Sequence, residues 1–203
     1  AIAGIAIGTV SLPVLSKAFK TKNVKKISDI QNKSFELSVL FSVPASFGLI
    51  LASNEIVSAL FGYGSFSLNN VEMTAAALKF FGYGVPAFAL IKILSNFFFA
   101  RDNTKTPFYI SIFIVFLNIL ISVTFLNKIG FVIIPIATSI STWVGVFIYI
   151  YLLNKKKILL LKNKLIINFI KILISTSIMS FILLFSLDKF ANYLDFNNNY
   201  KAV

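Results

Sequence analysis

The sequence predicts an all-α polytopic membrane protein, a helical bundle of about six transmembrane helices. Of the 203 residues, 58% are hydrophobic and the mean hydropathy is +0.88, which is more apolar than a soluble domain of this size needs. Each apolar stretch is long enough to span a bilayer, which takes about 20 residues. Thirteen of the 19 Lys and Arg residues lie at 17–33, 101–105 and 155–164. Because short loops rich in Lys and Arg stay in the cytoplasm, these segments place alternate connections on the cytoplasmic side.

Six spans follow from this pattern, with approximate bounds 1–16, 35–61, 72–100, 107–126, 130–153 and 165–187. The first span contains Gly4 and Gly8, a G-x-x-x-G pair whose spacing allows close helix contact in membranes. The basic segment 17–34 follows it and repeats apolar residues at helical spacing. It fits either a short amphipathic helix at the cytoplasmic interface or a solvated basic loop.

Prolines and polar residues mark the later spans. Pro44, Pro86 and Pro135 lie inside predicted helices, where each would remove a backbone hydrogen bond and kink the helix. The Gly- and Asn-rich stretch FGYGSFSLNN predicts a tight external turn, and Thr106 with Pro107 predicts the start of the fourth helix. Two polar residues inside spans are expected to form hydrogen bonds across helices, Asn96 and Asn118.

Lys92 is the candidate substrate-cavity residue. It lies eight residues before Ala100, about 12 Å from the cytoplasmic end of its span at 1.5 Å per residue. A cation at that depth is costly and usually faces a bundle interior or a watery cavity, where it could meet an anionic substrate group or a partner carboxylate. Alternatively, its side chain snorkels to the headgroups, as is expected for Lys79 and Lys171, which lie nearer to span ends.

The sequence offers no catalytic set, and no cofactor or metal site is expected. It has no Cys and no His, its seven Asp and Glu residues sit mostly at span ends, and it has no nucleotide-binding glycine loop. Because the lysines punctuate apolar spans, the net charge of +12 is better explained by the anionic cytoplasmic leaflet than by nucleic acid. The predicted protein is therefore not an enzyme, and its partners are membrane lipids rather than nucleic acid.

The chain begins inside an apolar stretch, without Met and without the basic region that a signal peptide needs. It is therefore expected to be an internal or C-terminal piece of a larger protein.

Three stretches of the sequence resemble one family of transporters. They are GTVSLPVLSKAF at 8–19, ALFGYGSF at 59–66 and FFFARDNTKTP at 97–107. In order and spacing they are similar to the second half of the MurJ/MviN lipid II flippases, within the multidrug/oligosaccharidyl-lipid/polysaccharide (MOP) exporter superfamily. The similarity covers most of the chain, although its last third matches only in hydropathy and loop charge.

The resemblance implies that residues 1–203 form part of the C-terminal lobe of a two-lobed MOP-type flippase, with the first lobe and the last helix absent. Such proteins move undecaprenyl-diphosphate-linked peptidoglycan precursor (lipid II) across the bacterial cytoplasmic (inner) membrane by alternating access, for cell-wall synthesis. The implied partners are the lipid-linked precursor, membrane lipids and the missing N-terminal lobe of the same protein.

The resemblance also assigns roles to particular residues. It makes Lys92 the remaining cavity cation, matches Arg101, Asp102 and Lys105 to the family's cytoplasmic loop, and makes the helix at 165–187 the candidate for a groove that holds the lipid tail. From the residues alone, the three loop residues would orient the chain and cap a helix, and the helix at 165–187 would be a lipid-facing span. Two other functions fit the sequence: a related exporter of polysaccharide lipid or drugs, and a non-transporting membrane scaffold.

Overall fold

The computed structural model describes residues 2–62 and 66–194. Within these residues the chain forms seven α-helices, one short 3-10 turn at Gly130–Val132 and no strand, so the predicted all-α class is confirmed. Residues 63–65 of the predicted external turn and the polar tail from residue 195 lie outside the described residues. The helices are α1 (Ile2–Lys20), α2 (Val24–Leu51), α3 (Ser53–Phe61), α4 (Leu68–Phe99), α5 (Lys105–Ile129), α6 (Ile133–Lys155) and α7 (Asn163–Leu194).

Four stretches of the described chain are long and apolar enough to cross a membrane. Three contain the single helices α2, α4 and α7, and the other, at 105–155, contains both α5 and α6. Helices α5 and α6 pack antiparallel. Asn118 of α5 contacts Thr138 of α6, and Ile114, one turn earlier in α5, lies beside Gly145, two turns later in α6. Nδ2 of Asn118 donates to Oγ1 of Thr138 at 2.8 Å, which confirms the hydrogen bond across helices predicted for Asn118.

Helix α4 is the centre of the bundle. It packs against α1, α2, α3 and α6, while α5 packs on α6 and α7 packs chiefly on α2. The main core lies at the C-terminal end of α4, where two aromatic pairs join it to its neighbours. The ring centroids of Phe35 and Phe97 are 5.9 Å apart, as are those of Phe98 and Tyr149, a favourable separation for tilted rings. The bundle is therefore tightly packed at the end predicted to be cytoplasmic.

The basic segment 17–34 does not form a separate element at the interface. Helix α1 continues to Lys20, and α2 starts at Val24 and runs on into the predicted second span. Asn23 caps α2, since its side chain accepts a hydrogen bond from the backbone N–H of Lys26 at 3.0 Å. Most of the segment is helical, but neither the short interfacial helix nor the solvated loop is correct. Hydropathy could not show the continuity, because a helix keeps its own hydrogen bonds where it leaves the hydrocarbon.

The helix expected over 35–61 is divided at Ala52. This residue has φ −108° and ψ 24°, outside helical geometry, and α3 starts directly after it. Glu55 lies in the first turn of α3, where a carboxylate interacts favourably with the helix N-terminus. Helix α3 then packs on the start of α4 through a small second core formed by Val57, Val71 and Ala75.

Pro86 interrupts the hydrogen bonding of α4, and neighbouring helices supply the missing partners. A proline removes the bond to the carbonyl four residues earlier, here that of Gly82. Oγ of Ser46 in α2 donates to this carbonyl at 2.7 Å, as the membrane interior requires. Two nearby carbonyls of α4 also accept from α6: Phe80 from Oγ of Ser139 at 2.7 Å, and Tyr83 from Nε1 of Trp143 at 2.9 Å.

The other two prolines differ in their effect. Helix α2 continues through Pro44 to Leu51. Pro135 is the third residue of α6, in the first turn, where no helical hydrogen bond is lost. The kink predicted at Pro135 is therefore not required.

Replacing Ser46 with alanine is expected to destabilise the intact protein by about 1 kcal/mol, because the Gly82 carbonyl loses its partner in a membrane interior. Ser42→Ala, one turn earlier, is the matched control. Ser42 is buried as well, but its hydroxyl has no hydrogen-bond partner within the described residues, so its removal should leave stability unchanged or raise it. Thermal unfolding in detergent measures both, and equal melting temperatures would contradict the role given to Ser46.

Candidate substrate-binding surfaces

The side chain of Lys92 lies against α1 and is exposed within the described chain. Its stem passes Gly8: a Cβ added to Gly8 would lie 3.1 Å from Cγ and 3.6 Å from Cε of Lys92. The absence of a side chain at Gly8 is what makes room for the stem. The ammonium group of an exposed lysine is a flexible point charge that can meet an anionic group.

The G-x-x-x-G pair of α1 fixes the surroundings of Lys92. A Cβ on Gly4 would lie 2.9 Å from Cα of Ala89, so the backbones of α1 and α4 are in direct contact there. Beside Gly8, Nδ2 of Asn96 donates to the Gly8 carbonyl at 2.7 Å, and Asn96 is only 2% exposed. Gly4 and Gly8 make the close contact that their spacing allows, and the hydrogen bond across helices predicted for Asn96 is confirmed.

Arg101 and Asp102 lie between α4 and α5, Lys105 is the first residue of α5, and all three are exposed. Asp102 adopts a left-handed conformation, with φ 58°. The backbone N–H of Asn103 donates to the carbonyl of Phe98 at 3.1 Å. This is the six-to-one hydrogen bond of a Schellman motif at a helix C-terminus. The loop is therefore a helix stop, and it lies about 14 Å from Lys92 along the helix axis at 1.5 Å per residue.

Arg101 ties this loop to α1. Its guanidinium lies over the ring of Phe19, 4.8 Å from the centroid, a cation–π contact. The structure therefore places Arg101 and Asp102 in structural contacts at the end predicted to be cytoplasmic, apart from Lys92.

Helix α5 starts earlier than the predicted Thr106–Pro107 start, at Lys105. Asn103 supplies the cap that was assigned to Thr106. Its Oδ1 accepts from the backbone N–H of Thr106 at 3.1 Å, and its Nδ2 donates to Oγ1 of Thr106 at 3.0 Å. Asn is as good a cap as Thr or better, and here it reaches the N–H three residues on.

Asp102→Gly is expected to be more stable than Asp102→Ala by about 1 kcal/mol, because glycine adopts the left-handed conformation without a steric penalty from Cβ. Thermal unfolding of the intact protein measures this difference. Both variants lack the carboxylate, so the pair separates capping from binding. If the carboxylate also bound a ligand, both variants would fail equally to replace the wild-type protein in cells.

A groove runs between α2 and α7, along the helix predicted to form one. Its mouth, of about 390 Å³, is polar and charged, with Asp29, Lys33, Glu36, Lys162 and Lys164 among its lining residues. Glu36, Leu165 and Asn168 also line a constriction of only about 10 Å³, and Ile172 joins this constriction to an apolar part of about 340 Å³. That part is lined by Leu40, Pro44, Lys171, Ile172, Ser175, Thr176 and Met179.

Lys171 lies on the wall of this groove. Sequence reasoning expected it only to snorkel and did not connect it with a site. The signal that could have found it is the one that drew attention to Lys92, a cation within an otherwise apolar helix. The helical spacing of Lys164, Asn168, Lys171 and Ser175 marks the face of α7 that lines the groove.

Long apolar helices, cations within two of them and a groove between α2 and α7 define a polytopic α-helical membrane protein. A profile of the family described as "Lipid II flippase MurJ" matches residues 1–200. The probable lipid II flippase MurJ of Rickettsia prowazekii is 32% identical over 158 residues, covering 77% of this chain and 31% of that protein. The chain belongs to the MurJ family, and it is a multi-pass protein of the bacterial cytoplasmic membrane.

Two further comparisons extend this similarity over nearly the whole chain. The probable lipid II flippase MurJ of Vibrio cholerae is 26% identical over 200 residues, covering 98% of this chain and 38% of that protein. A solved structure, "Lipid II flippase MurJ, inward closed conformation", matches with a TM-score of 0.75 and 28% identity, covering 91% of this chain and 37% of that one. The chain spans about a third of the length of the relatives it matches.

Proposed function

We propose that this chain forms part of the C-terminal lobe of a flippase that moves lipid II from the cytoplasmic to the periplasmic leaflet. The observation that carries the proposal is the family match over residues 1–200, together with the likeness to a MurJ structure at a TM-score of 0.75. In this role the protein is a transporter rather than an enzyme, and its substrate is a diphosphate-linked lipid.

The physical problem of this transport is the charged headgroup. A diphosphate cannot cross hydrocarbon bare, because an unpaired charge loses its hydration there. A watery cavity with cationic walls lowers that cost, and alternating exposure of the cavity prevents a leak. We propose Lys92 as a cation of this cavity; its exposed position beside Gly8 of α1 supports the assignment.

The lipid tail needs an apolar surface that opens to the bilayer. We propose that the groove between α2 and α7 supplies it. Its inner part of about 340 Å³ has mostly apolar walls, including Leu40, Pro44 and Met179, while its mouth is charged. This polarity matches a lipid whose headgroup is charged and whose tail is hydrocarbon.

The first lobe is proposed to cover the outer face of α1 and α2. A recess of about 450 Å³ lies between these helices, and its walls are mostly apolar. One of its lining residues, Val10, is 72% exposed within the described chain. Packing of the first lobe on this recess would shield its apolar walls, including Val10, from water.

Depletion of the intact protein in cells tests the function. Lipid II that an external probe can reach should fall, and re-expression should restore it. Unchanged exposure in cells with no other lipid II flippase would reject the proposal. Loss of growth with unchanged exposure would instead favour a scaffold that docks other cell-wall proteins.

A further inference from the structure

Two neighbouring amide side chains of α2 bind the connection between α6 and α7. Nε2 of Gln31 donates to the carbonyl of Ile158 at 3.1 Å, and its Oε1 accepts from the N–H of Leu160 at 3.0 Å. Nδ2 of Asn32 donates to the carbonyl of Leu160 at 2.8 Å, and its Oδ1 accepts from the N–H of Lys162 at 2.8 Å. The amides thus bind backbone groups of alternate residues, as the edge of a neighbouring strand would.

Residues 28–32 of α2 and residues 158–162 together form a clasp, and further contacts reinforce it. Oγ of Ser28 donates to the carbonyl of Leu160 at 2.8 Å, and the ammonium of Lys162 pairs with Asp29. Gln31 is fully buried, and Ile158 is 4% exposed. Because buried backbone groups need partners, the clasp gives this stretch one defined path, although it has no regular secondary structure.

Helix α7 is held far less firmly beyond the clasp. It packs chiefly on α2, and its buried residues form one narrow stripe of Ile172, Thr176 and Ser180. The hydroxyl of Thr176 has no hydrogen-bond partner within the described residues. The helix is therefore fixed at its start and weakly attached along its length. Its stripe faces α2 across the groove, so the position of its start sets the distance between the groove walls.

We propose that Gln31 and Asn32 are positioning residues that fix the start of α7 against α2 and so set the width of the groove between these helices. The consequence for transport rests on the proposed function, in which this groove takes the lipid tail. The positioning itself does not depend on that function. In this proposal the start of α7 stays fixed at the clasp, while the later turns of α7 move away from α2 to admit a ligand.

The test measures the groove width directly in the intact protein. Spin labels on Leu40→Cys and Met179→Cys report the distance across the groove, since both residues line it and the chain has no other cysteine. Any cysteines elsewhere in the protein are first replaced. The double variant Gln31→Leu/Asn32→Leu keeps similar side-chain volumes and removes the four hydrogen bonds. Asn154→Leu, at an exposed position near the end of α6, makes the same chemical change outside the clasp and is the control.

The double variant is expected to lengthen the mean distance by about 1–2 Å, a typical helix shift at an interface, and to broaden its distribution. Lipid II flipping should fall severalfold, and Asn154→Leu should change neither quantity. Asn32→Asp keeps one of the two hydrogen bonds that Asn32 makes to the connection between α6 and α7, the one from the N–H of Lys162. Relative to Asn32→Leu, it should restore part of the wild-type distance and part of the flipping. These single variants provide the same comparison if the double variant does not fold.

Other outcomes overturn the inference. An unchanged distance would show that the clasp does not position α7, whatever the flipping assay gives. A changed distance between the two spin labels with unchanged flipping would show that Gln31 and Asn32 position α7 but have no role in transport. Failure of the wild-type protein to flip lipid II would reject the proposed function instead, and the distance measurement would still decide the positioning role.

Discussion

A leucine at position 4 is expected to push α1 away from α4 and to destabilise the intact protein by roughly 3 kcal/mol, the upper end for overpacking a close contact. A Cβ there would already lie 2.9 Å from Cα and 3.1 Å from Cβ of Ala89. Neither atom can turn away, so the helices must separate. Close contact between small residues drives helix association in membranes, and separation removes this contact together with the Asn96–Gly8 hydrogen bond.

Gly48→Leu in α2 is the matched control. A Cβ at Gly48 meets nothing within 4 Å in the described chain, and leucine is the better helix former. The control should therefore melt at or above the wild-type temperature, while Gly4→Leu should melt well below it. If the two variants unfolded together in detergent, α1 and α4 would not be in close contact in the intact protein.

The fold class could be predicted because a bilayer imposes few solutions. Chain that crosses hydrocarbon must satisfy its own hydrogen bonds, so long apolar stretches form helices. Small residues spaced four apart, such as Gly4 and Gly8, allow a close contact, but Gly is common in membrane helices and the spacing alone does not predict one. Asn96 and Asn118 needed partners inside the bundle, and each has one on a neighbouring helix.

Helix ends were predicted less well, because hydropathy reports transfer to lipid and not hydrogen bonding. The charged residues at 17–34 read as an interfacial element, yet helices α1 and α2 extend through most of that segment. At Ala52 the opposite occurs: the predicted span continues to residue 61, but the helix breaks there, directly before the polar residues Ser53, Asn54 and Glu55. In both places backbone geometry departs from the predicted spans.

The clasp and the groove could not be predicted from the sequence. Gln31 is separated by 127 residues from Ile158, and a glutamine within a basic segment looks like a solvated side chain until the fold buries it. The groove between α2 and α7 results from sparse packing of α7 on α2. Polar residues recur at helical spacing along α7 from Lys164 to Ser175 and line the groove, but this spacing does not predict which helix lies opposite them. Long-range packing therefore decides both features.

Lys92→Met is expected to reduce lipid II flipping by roughly tenfold or more, since hydrogen bonds to charged groups contribute about 1.5–3 kcal/mol. Methionine has a side chain of similar length that can pass Gly8 as the lysine stem does, but it carries no charge. Lys92→Arg retains the charge and should keep most of the activity. The measurement is lipid II exposed at the outer leaflet, with growth of cells that depend on each variant.

Lys79→Met is the matched control, because Lys79 is an exposed lysine on the same helix and is expected only to snorkel. Its loss should leave flipping near the wild-type level. A snorkelling Lys92 would likewise tolerate methionine, because removing a cation from an apolar helix lowers the cost of burial in lipid. Equal growth with methionine and arginine at position 92 would therefore reject its role in the cavity, whereas a loss confined to methionine would require an anionic partner for this ammonium group during transport.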